Sequence, residues 1–324
     1  KRLLVLLLTV IVAAIGAFSL YRLPIDAVPD ITNNQVQINV RAPALSPELV
    51  EKQVSFPIET ALAGTPGLEY TRSLSRNGFA QITAVFSDAT DIYFARQQVG
   101  ERLRGVQENL PDGVNPEMGP IATGLGEVYM YTVRLDHRED DKHKPGEPGQ
   151  QPDGSYITPE GERLTTEEDK ATYLRTAQDW IVTPLLKTTP GLAGVDSIGG
   201  YAKQFLVVPD VQKLASLGIT LTDLGNALER NNTSVGGGFV NRNGEGLAVR
   251  SDALVRNASE LARTVIATRN GAPITVEQVA TVKTGQAIRM GSASENGTEV
   301  VVGTAIMRIG ENSRIVSTAV AEKL

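Results

Sequence analysis

The chain has 324 residues, of which 41% are apolar and 21% are charged, and its net charge is -6. This composition is typical of globular domains rather than of disordered chains, and the negative balance disfavours nucleic acid as a partner. The absence of cysteine excludes a disulfide framework and any thiolate site.

Residues 3–20 form an uncharged and mainly apolar run near the start of the chain. At about 1.5 Å rise per residue this run spans roughly 27 Å, close to the ~30 Å hydrocarbon core of a bilayer. Lys1 and Arg2 precede it, so the positive-inside rule predicts a transmembrane helix over residues 1–22 with a cytoplasmic start. The rest of the chain would then lie outside the cytoplasm.

A secretory signal peptide is the competing interpretation, because Ala17 and Ser19 provide a small-residue cleavage site. The apolar run exceeds the usual ~7–15 residues of a signal peptide, which favours an uncleaved anchor. Residues 23–32 are predicted to be a stiff exit linker. In that linker Asp26 and Asp30, next to Pro24 and Pro29, are interpreted as turn and cap residues rather than as ion ligands.

The next segment predicts the order strand, helix, strand, strand, helix. A helix that begins at Ser46 and runs to Gly64 contains Pro57, which should kink or split it. The dipeptide Asn77-Gly78 is a strong signal for a hairpin. The predicted elements are a strand over 33–40, this helix, strands over 70–74 and 81–86, and a helix over 92–109 whose cap candidates are Asp88 and Asp91.

A second, similar segment follows. Residues 127–135 are extended and either close the first segment or open the second, and a helix is predicted over 173–186. The string Thr-Pro-Gly-Leu occurs at 65–68 and again at 189–192, each time after a helix with an internal proline, Pro57 or Pro184. The chain therefore shows a faint internal repeat of a split βαβ unit.

Residues 210–252 differ from the preceding segments in their composition and in their predicted elements. Two short helices, over 211–217 and 222–230, lead into an Asn/Gly-rich segment over 231–246 that is predicted to be an inserted hairpin or flexible arm. A phosphate-binding loop is disfavoured, because no Gly-Lys-Ser/Thr follows the glycines. Strands near 195–198, 204–208, 247–250, 273–276, 280–282 and 299–307 and a helix from 310 complete the chain, which is expected to be a fragment that lacks a last strand.

Several long strings carry a resemblance to a known family. They are LPIDAVPDITNNQVQI (23–38), SFPIETALAGTPGLEYTRSLSRNGFAQITAVF (55–86), GLGEVYMYTV (124–133), SIGGYAKQFLV (197–207) and GENSRIVSTAVAEKL (310–324). Together they resemble the N-terminal part of a resistance-nodulation-division (RND) transporter of the heavy-metal efflux branch. LPIDAVPDIT and GLGEVY are more similar to the cobalt, zinc and cadmium exporters than to the drug exporters.

The resemblance implies an α+β fold in which one transmembrane helix precedes repeated split βαβ (ferredoxin-like) periplasmic subdomains with an inserted docking subdomain. By this resemblance the first pore subdomain covers 33–127, the second covers 128–208 and 253–324, and the docking subdomain covers 209–252. Asn231 and the glycines Gly236, Gly237 and Gly238 would lie on an arm that contacts a neighbouring subunit.

The resemblance also implies a function. Such pumps are homotrimers in the inner membrane of Gram-negative bacteria, work with a periplasmic adaptor and an outer-membrane channel, and export cations in exchange for protons without a bound cofactor. The cargo expected here is a divalent cation (Zn, Co, Cd or Ni). The carboxylates of the proton relay are expected in a later membrane helix, outside this chain.

A polar insertion over 136–170 departs from the relatives, which have a shorter connection there. It carries 11 acidic and 5 basic side chains and is predicted to be a solvent-exposed loop. His137, His143 and Asp140 lie in it, and imidazole with carboxylate suits zinc, cobalt or nickel. The alternative is a solvated insertion without metal, since Arg138 and Lys142 interleave with these residues.

Glu127 is the other candidate metal ligand. It follows Gly124 and Gly126, which allow a tight bend and a close approach to a neighbouring strand. By the resemblance it lies at the junction of the two pore subdomains, near the substrate cleft, where copper-type relatives have an aromatic residue. One carboxylate suits a hydrated divalent ion held with modest affinity. The alternative is a cap or salt bridge at the start of a strand.

Other function classes were weighed against a transporter fragment. A membrane-anchored periplasmic binding or adaptor protein, complete as given, is the main alternative, although the long heptad hairpins of adaptors are absent. An enzyme is disfavoured, because no His-Glu-x-x-His, Gly-x-Ser-x-Gly or Walker motif occurs. The four methionines, Met118, Met130, Met290 and Met307, are widely spaced, which favours divalent cations over the monovalent ions that bind thioethers.

Overall fold

A computed structural model describes residues 2–21, 32–43, 45–135, 146–233, 235–242, 245–251, 254–269, 271–289 and 291–324. These residues form two compact units. The first comprises Lys1–Thr132, Asp179–Ser197 and Val302–Leu324, and the second comprises Val133–Gln178 and Ile198–Val301.

Helix α1, Arg2–Tyr21, is the predicted N-terminal helix. Its window Arg2–Leu20 has a mean hydropathy of 2.8 and is not buried, so by length and composition it is able to cross a membrane. It is the only such helix among the described residues. A signal sequence would have the same properties, and the predicted linker residues Pro24, Asp26, Pro29 and Asp30 lie outside the described residues.

The first unit contains a four-stranded antiparallel sheet in the order β2-β3-β1-β4. Strand β4 was missed by the sequence analysis, because its proline and polar residues do not alternate with apolar ones; it pairs with β1 through Ile38 and Met118. The elements are β1 Gln35–Arg41, α2 Pro47–Val50, α3 Phe56–Leu62, β2 Leu68–Arg76, β3 Phe79–Phe86, α4 Ile92–Val106 and β4 Asn115–Met118.

Local signals in the sequence explain these elements. The Ser46 hydroxyl accepts a hydrogen bond from Leu49 N at 3.4 Å, and the Asp91 carboxylate accepts one from Phe94 N at 2.9 Å, so both predicted caps are confirmed. The helices cover one face of the sheet. Alternate residues of β1 are fully buried there against the helices, in a core that includes Val36, Ile38, Val40, Val54, Ile58, Leu62, Ala95 and Val99.

Pro57 widens its helix instead of breaking it. Residues Glu51–Ser55, between α2 and α3, form a π-helical segment. Proline lacks an amide hydrogen and its ring crowds the carbonyl four residues earlier, so the local hydrogen-bond register shifts. A second π-helical segment, Gln178–Val182, precedes Pro184 with the same spacing.

The next elements are β5 Glu127–Val133, β6 Gly149–Gln150, β7 Tyr156–Ile157, β8 Arg163–Leu164, α5 Glu167–Ala177, α6 Thr183–Lys187 and β9 Leu192–Ile198. The turns before β2 and β9 repeat each other in detail. Leu68 N donates to Thr65 O at 3.1 Å, Leu192 N donates to Thr189 O at 3.3 Å, and Gly67 and Gly191 have φ of 77° and 81°. These positive φ angles favour glycine.

The prediction of a solvent-exposed loop over 136–170 is wrong for its second half. Strands β6, β7 and β8 form a small antiparallel sheet, and α5 begins six residues before its predicted start because Thr166 and Asp169 form a capping box. Gln151 is buried, and its amide donates to Glu147 O at 2.8 Å and Gly149 O at 3.1 Å. Polar side chains that satisfy the backbone hold this sheet together, so it leaves no apolar pattern in the sequence.

The remaining elements are β10 Lys203–Pro209, α7 Val211–Leu217, α8 Leu221–Arg230, β11 Val235–Arg242, β12 Glu245–Ser251, α9 Ala258–Ala262, β13 Val265–Arg269, β14 Ala272–Thr275, α10 Val276–Val279, β15 Ala280–Gln286, β16 Ala293–Glu295, β17 Thr298–Met307 and α11 Ser313–Lys323. Strands β10 and β15 pair antiparallel, and β11 with β12 forms the predicted hairpin. Leu214 and Leu224 share a core with Ile266, Ile274 and Val279.

The second sheet contains β5, β9, β16 and β17, and β17 pairs with both β5 and β9. The order β9-β17-β5 resembles the order β2-β3-β1. Strand β4 belongs to the first sheet and β5 to the second. In the first unit, Leu186, Leu192, Ala305, Met307, Val316 and Val320 form the core of the second repeat.

Candidate functional site

Glu127 is the first residue of β5 and is exposed. It lines a cavity of about 680 Å³ whose described walls all belong to the first unit. The cavity is lined by Thr32, Asn34, Thr123, Leu125, Gly126, Glu127, Val128, Met307, Arg308, Ile309, Gly310, Ser313, Arg314 and Ser317.

Gly126 sets the position of Glu127. Its carbonyl oxygen accepts a hydrogen bond from Met307 N at 2.6 Å, and its own N donates to Thr123 O at 2.9 Å. A Cβ at this position would lie only 3.0 Å from Met307 O and 3.1 Å from Thr123 O. The predicted close approach of the chain to a neighbouring strand is therefore confirmed at Gly126, whereas Gly124 faces open space.

The opposite wall is the connection from β17 to α11. Arg308 N donates to Gly191 O at 2.9 Å, which fixes the end of β17. Asn312 caps α11, because its side-chain oxygen accepts from Arg314 N at 3.1 Å and Ile315 N at 3.2 Å. The first turns of α11 thereby bring Ser313, Arg314 and Ser317 to the cavity.

Asn34 forms a third part of the wall. Its side-chain nitrogen donates to Thr90 O at 3.0 Å and more weakly to Asp88 O at 3.4 Å. These bonds occupy the nitrogen and leave the side-chain oxygen as an acceptor. A carboxylate and an amide oxygen, ligands suited to a hydrated divalent cation, therefore line one cavity.

Among the residues that the structure describes, three charged side chains line the cavity: Glu127, Arg308 and Arg314. Arg308 lies 4.0 Å from the Glu311 carboxylate. Neither the Glu127 carboxylate nor the Arg314 guanidinium forms an ion pair or side-chain hydrogen bond with any other residue that the structure describes. The sequence analysis missed both arginines, because only the fold brings them to Glu127.

No group of three or more histidine, cysteine, aspartate or glutamate side chains able to hold a metal ion occurs within the described ranges. Glu127 is therefore a single carboxylate there. His137, His143 and Asp140 lie outside the described residues. The two candidate metal sites of the sequence are thus not brought together by any described contact.

The candidate docking residues lie in the second unit. Asn231 follows α8 and its side-chain nitrogen donates to Ala227 O at 2.8 Å. Gly236, Gly237 and Gly238 lie in β11, where the pairing with β12 shifts register between Gly236 and Phe239. Such a shift is typical of a bulge, which glycine accommodates easily.

A second cavity of about 770 Å³ in the first unit was not anticipated from the sequence. Arg41, Arg96 and Lys187 line it together with Glu117 and Asp196. Arg96 donates to Gly119 O at 2.7 Å, and burial lowers the pKa of its guanidinium. With charges of both signs, this cavity has no clear preference for one kind of ion.

The whole chain matches one protein family and is similar to two metal-resistance proteins. A family model described as the AcrB/AcrD/AcrF family matches residues 1–324. The chain is 56% identical to the nickel-cobalt-cadmium resistance protein NccA of Alcaligenes xylosoxydans xylosoxydans, over 100% of this chain and 30% of that protein. It is 54% identical to the nickel and cobalt resistance protein CnrA of Cupriavidus metallidurans, with the same coverage of 100% and 30%.

A solved structure is similar as well. The crystal structure of a heavy metal efflux pump, crystal form II, matches with a TM-score of 0.78 and 29% sequence identity, and it covers 100% of this chain and 29% of that chain. The chain therefore spans about 30% of the length of the relatives it matches.

Proposed function

Because this chain belongs to the AcrB/AcrD/AcrF family, we propose that it forms part of an RND exporter of divalent heavy-metal cations. The observation that carries the proposal is the identity of 56% and 54%, over the whole chain, with two proteins named for resistance to nickel and cobalt. Exchange of cations for protons is part of the proposal, and its relay would lie outside this chain. The alternative of a complete periplasmic binding or adaptor protein has no comparable support.

A growth assay tests this function. The full-length gene, expressed in a metal-sensitive Gram-negative strain, is expected to raise the inhibitory concentrations of cobalt, nickel, zinc or cadmium. It should not protect against silver or copper(I), which favour thioether ligands, because the four methionines of the chain are widely spaced in its sequence. Protection against silver or copper(I) without protection against any of the divalent metals would contradict the proposal.

The proposed architecture extends the observed repeat. Both sheets would belong to ferredoxin-like pore subdomains, supported by the matching strand orders β2-β3-β1 and β9-β17-β5. The docking subdomain would extend from β10 to β15, beyond the predicted range 209–252, since Val207 of β10 and Val282 of β15 pack against the core that contains Leu214 and Leu224. An experimental structure of the full-length protein with a different strand order would contradict this assignment.

The proposed assembly is a homotrimer in the inner membrane with a periplasmic adaptor and an outer-membrane channel. Helix α1 would be its uncleaved anchor, and the residues after about 22 would lie in the periplasm. The charges of Lys1 and Arg2 before the apolar helix support this topology. Asn231 at the base of the β11–β12 arm is exposed, so it is accessible to a neighbouring subunit.

A single cysteine at Asn231 tests both topology and assembly, and this chain contains no cysteine of its own. In the full-length protein, with any cysteine outside this chain replaced by serine, Asn231→Cys is expected to react with a membrane-impermeant maleimide added to the periplasmic side. A short photo-crosslinker on the same cysteine should yield products of two or three subunits. Labelling only from the cytoplasmic side would overturn the topology, and labelled protein that stays monomeric would overturn the subunit contact.

A further inference from the structure

The part of the Glu127 cavity lining that the structure describes carries more positive than negative charge. Two guanidinium groups, on Arg308 and Arg314, face one carboxylate, on Glu127, so these side chains sum to one positive charge. A divalent cation at Glu127 would therefore be repelled by both arginines. Arginine stays charged at any physiological pH, so this repulsion is built into the cavity.

The two arginines differ in how they are held. Arg308 lies 4.0 Å from Glu311 on its own turn of chain, which neutralises part of its charge. The Arg314 guanidinium has no partner among the residues that the structure describes, although the backbone of its helix is fixed by the Asn312 cap. The cavity thus contains one unpaired carboxylate and one unpaired guanidinium on a long, flexible side chain.

We propose that Arg314 lowers the cation affinity of this cavity, because its guanidinium repels a cation that is bound at the Glu127 carboxylate. This inference rests on the proposed function as a divalent-cation exporter, with Glu127 as a ligand of the cation. Its consequence is a modest affinity, which a transport site needs because the cargo must leave again.

Coulomb's law sets the size of the effect. A positive side chain that repels a divalent ion from about one Debye length away, partly screened by salt, changes a binding constant by roughly three- to tenfold. Removal of the Arg314 charge should therefore tighten cation binding by roughly this factor. The effect should shrink at high ionic strength, because salt screens charges that are exposed to solvent.

The experiment is a calorimetric titration of the detergent-solubilised full-length protein with Co²⁺, one of the two metals that the names of both relatives contain. Arg314→Gln is expected to lower the dissociation constant for Co²⁺ by about three- to tenfold, and less at high salt. Arg314→Lys keeps the charge and should bind as the unmodified protein does. Lys323→Gln removes a positive charge from the other end of α11, outside the cavity, and is the matched control.

Each outcome bears on a different claim. If Glu127→Gln weakens Co²⁺ binding but Arg314→Gln leaves it unchanged, the repulsion by Arg314 is overturned and the role of Glu127 stands. If Arg314→Lys tightens binding as much as Arg314→Gln does, charge is not the cause and the inference is wrong. If Glu127→Gln binds Co²⁺ as the unmodified protein does, both the role of Glu127 and the repulsion by Arg314 are overturned, whereas the proposed export of divalent cations is tested separately by the growth assay.

Discussion

Replacement of Gly303 by alanine is expected to lower the apparent melting temperature of the protein by about 5–10 °C. Gly303 is buried in β17, the strand that pairs with both β5 and β9. A Cβ at this position would overlap the ring of Tyr131, which packs against the core of the second repeat. The ring would have to leave its place over the glycine, and overpacking of this kind costs about 3 kcal/mol.

Two controls separate this clash from a general effect of losing a glycine. Gly225→Ala, on α8, adds a methyl group where no atom lies within 4 Å, so it should leave the melting temperature unchanged or raise it slightly. In a Tyr131→Ala background, adding Gly303→Ala should lower the melting temperature little further than Tyr131→Ala alone, because the ring that the new methyl group would strike is absent. An unchanged melting temperature for Gly303→Ala alone would show that Tyr131 does not hold β5 against β17.

This contact matters for the candidate site. Glu127 is the first residue of β5, and Tyr131 lies four residues further along the same strand. The strand is fixed at one end by the bond from Met307 N to Gly126 O at 2.6 Å and further along by the packing of Tyr131 on Gly303. The carboxylate is thus held at the cavity by backbone pairing and core packing rather than by its own contacts.

Local signals were sufficient to predict much of the fold. Ser46 and Asp91 were identified as caps, Asn77-Gly78 as a hairpin turn, and the two Thr-Pro-Gly-Leu strings as a repeat. Each of these features depends on a few neighbouring residues whose backbone preferences are known from their residue types. The length of α1 likewise follows from an uninterrupted apolar run.

Features that depend on distant residues escaped the sequence analysis. Strand β4 contains Pro116 and lacks the alternation of apolar and polar residues that is typical of a strand, so only its pairing with β1 defines it. The sheet of β6, β7 and β8 has the buried polar residue Gln151 at its centre, which hydropathy patterns do not detect. Arg308 and Arg314 line the Glu127 cavity because β17 pairs with β5, and 164 residues (134–297) separate these strands in the sequence.

The central claim is that Glu127 binds the exported cation. Glu127→Gln keeps the size of the side chain but removes its charge, and the cavity would then carry only the positive charges of Arg308 and Arg314. Loss of one charged ligand oxygen should weaken Co²⁺ binding by about tenfold or more, since 1.4 kcal/mol corresponds to a factor of ten. Folding should be unaffected, because the Glu127 carboxylate has no side-chain partner among the described residues.

Glu117 supplies a matched control. It is also an exposed carboxylate on a strand of the first unit, but it lines the second cavity, where Arg41, Arg96 and Lys187 lie. Glu117→Gln makes the same change of charge without altering the lining of the Glu127 cavity. The two variants can therefore be compared at equal expression and equal trimer yield.

The most direct measurement is the release of cobalt from metal-loaded cells that express the full-length protein, followed by mass spectrometry of the cell-associated metal. The unmodified protein and Glu117→Gln are expected to release cobalt at the same rate, well above an empty vector. Glu127→Gln should release it at a rate close to that of the empty vector. Release by Glu127→Gln at the rate of the unmodified protein would contradict the claim that Glu127 binds the cation, and no release by the unmodified protein would contradict export itself.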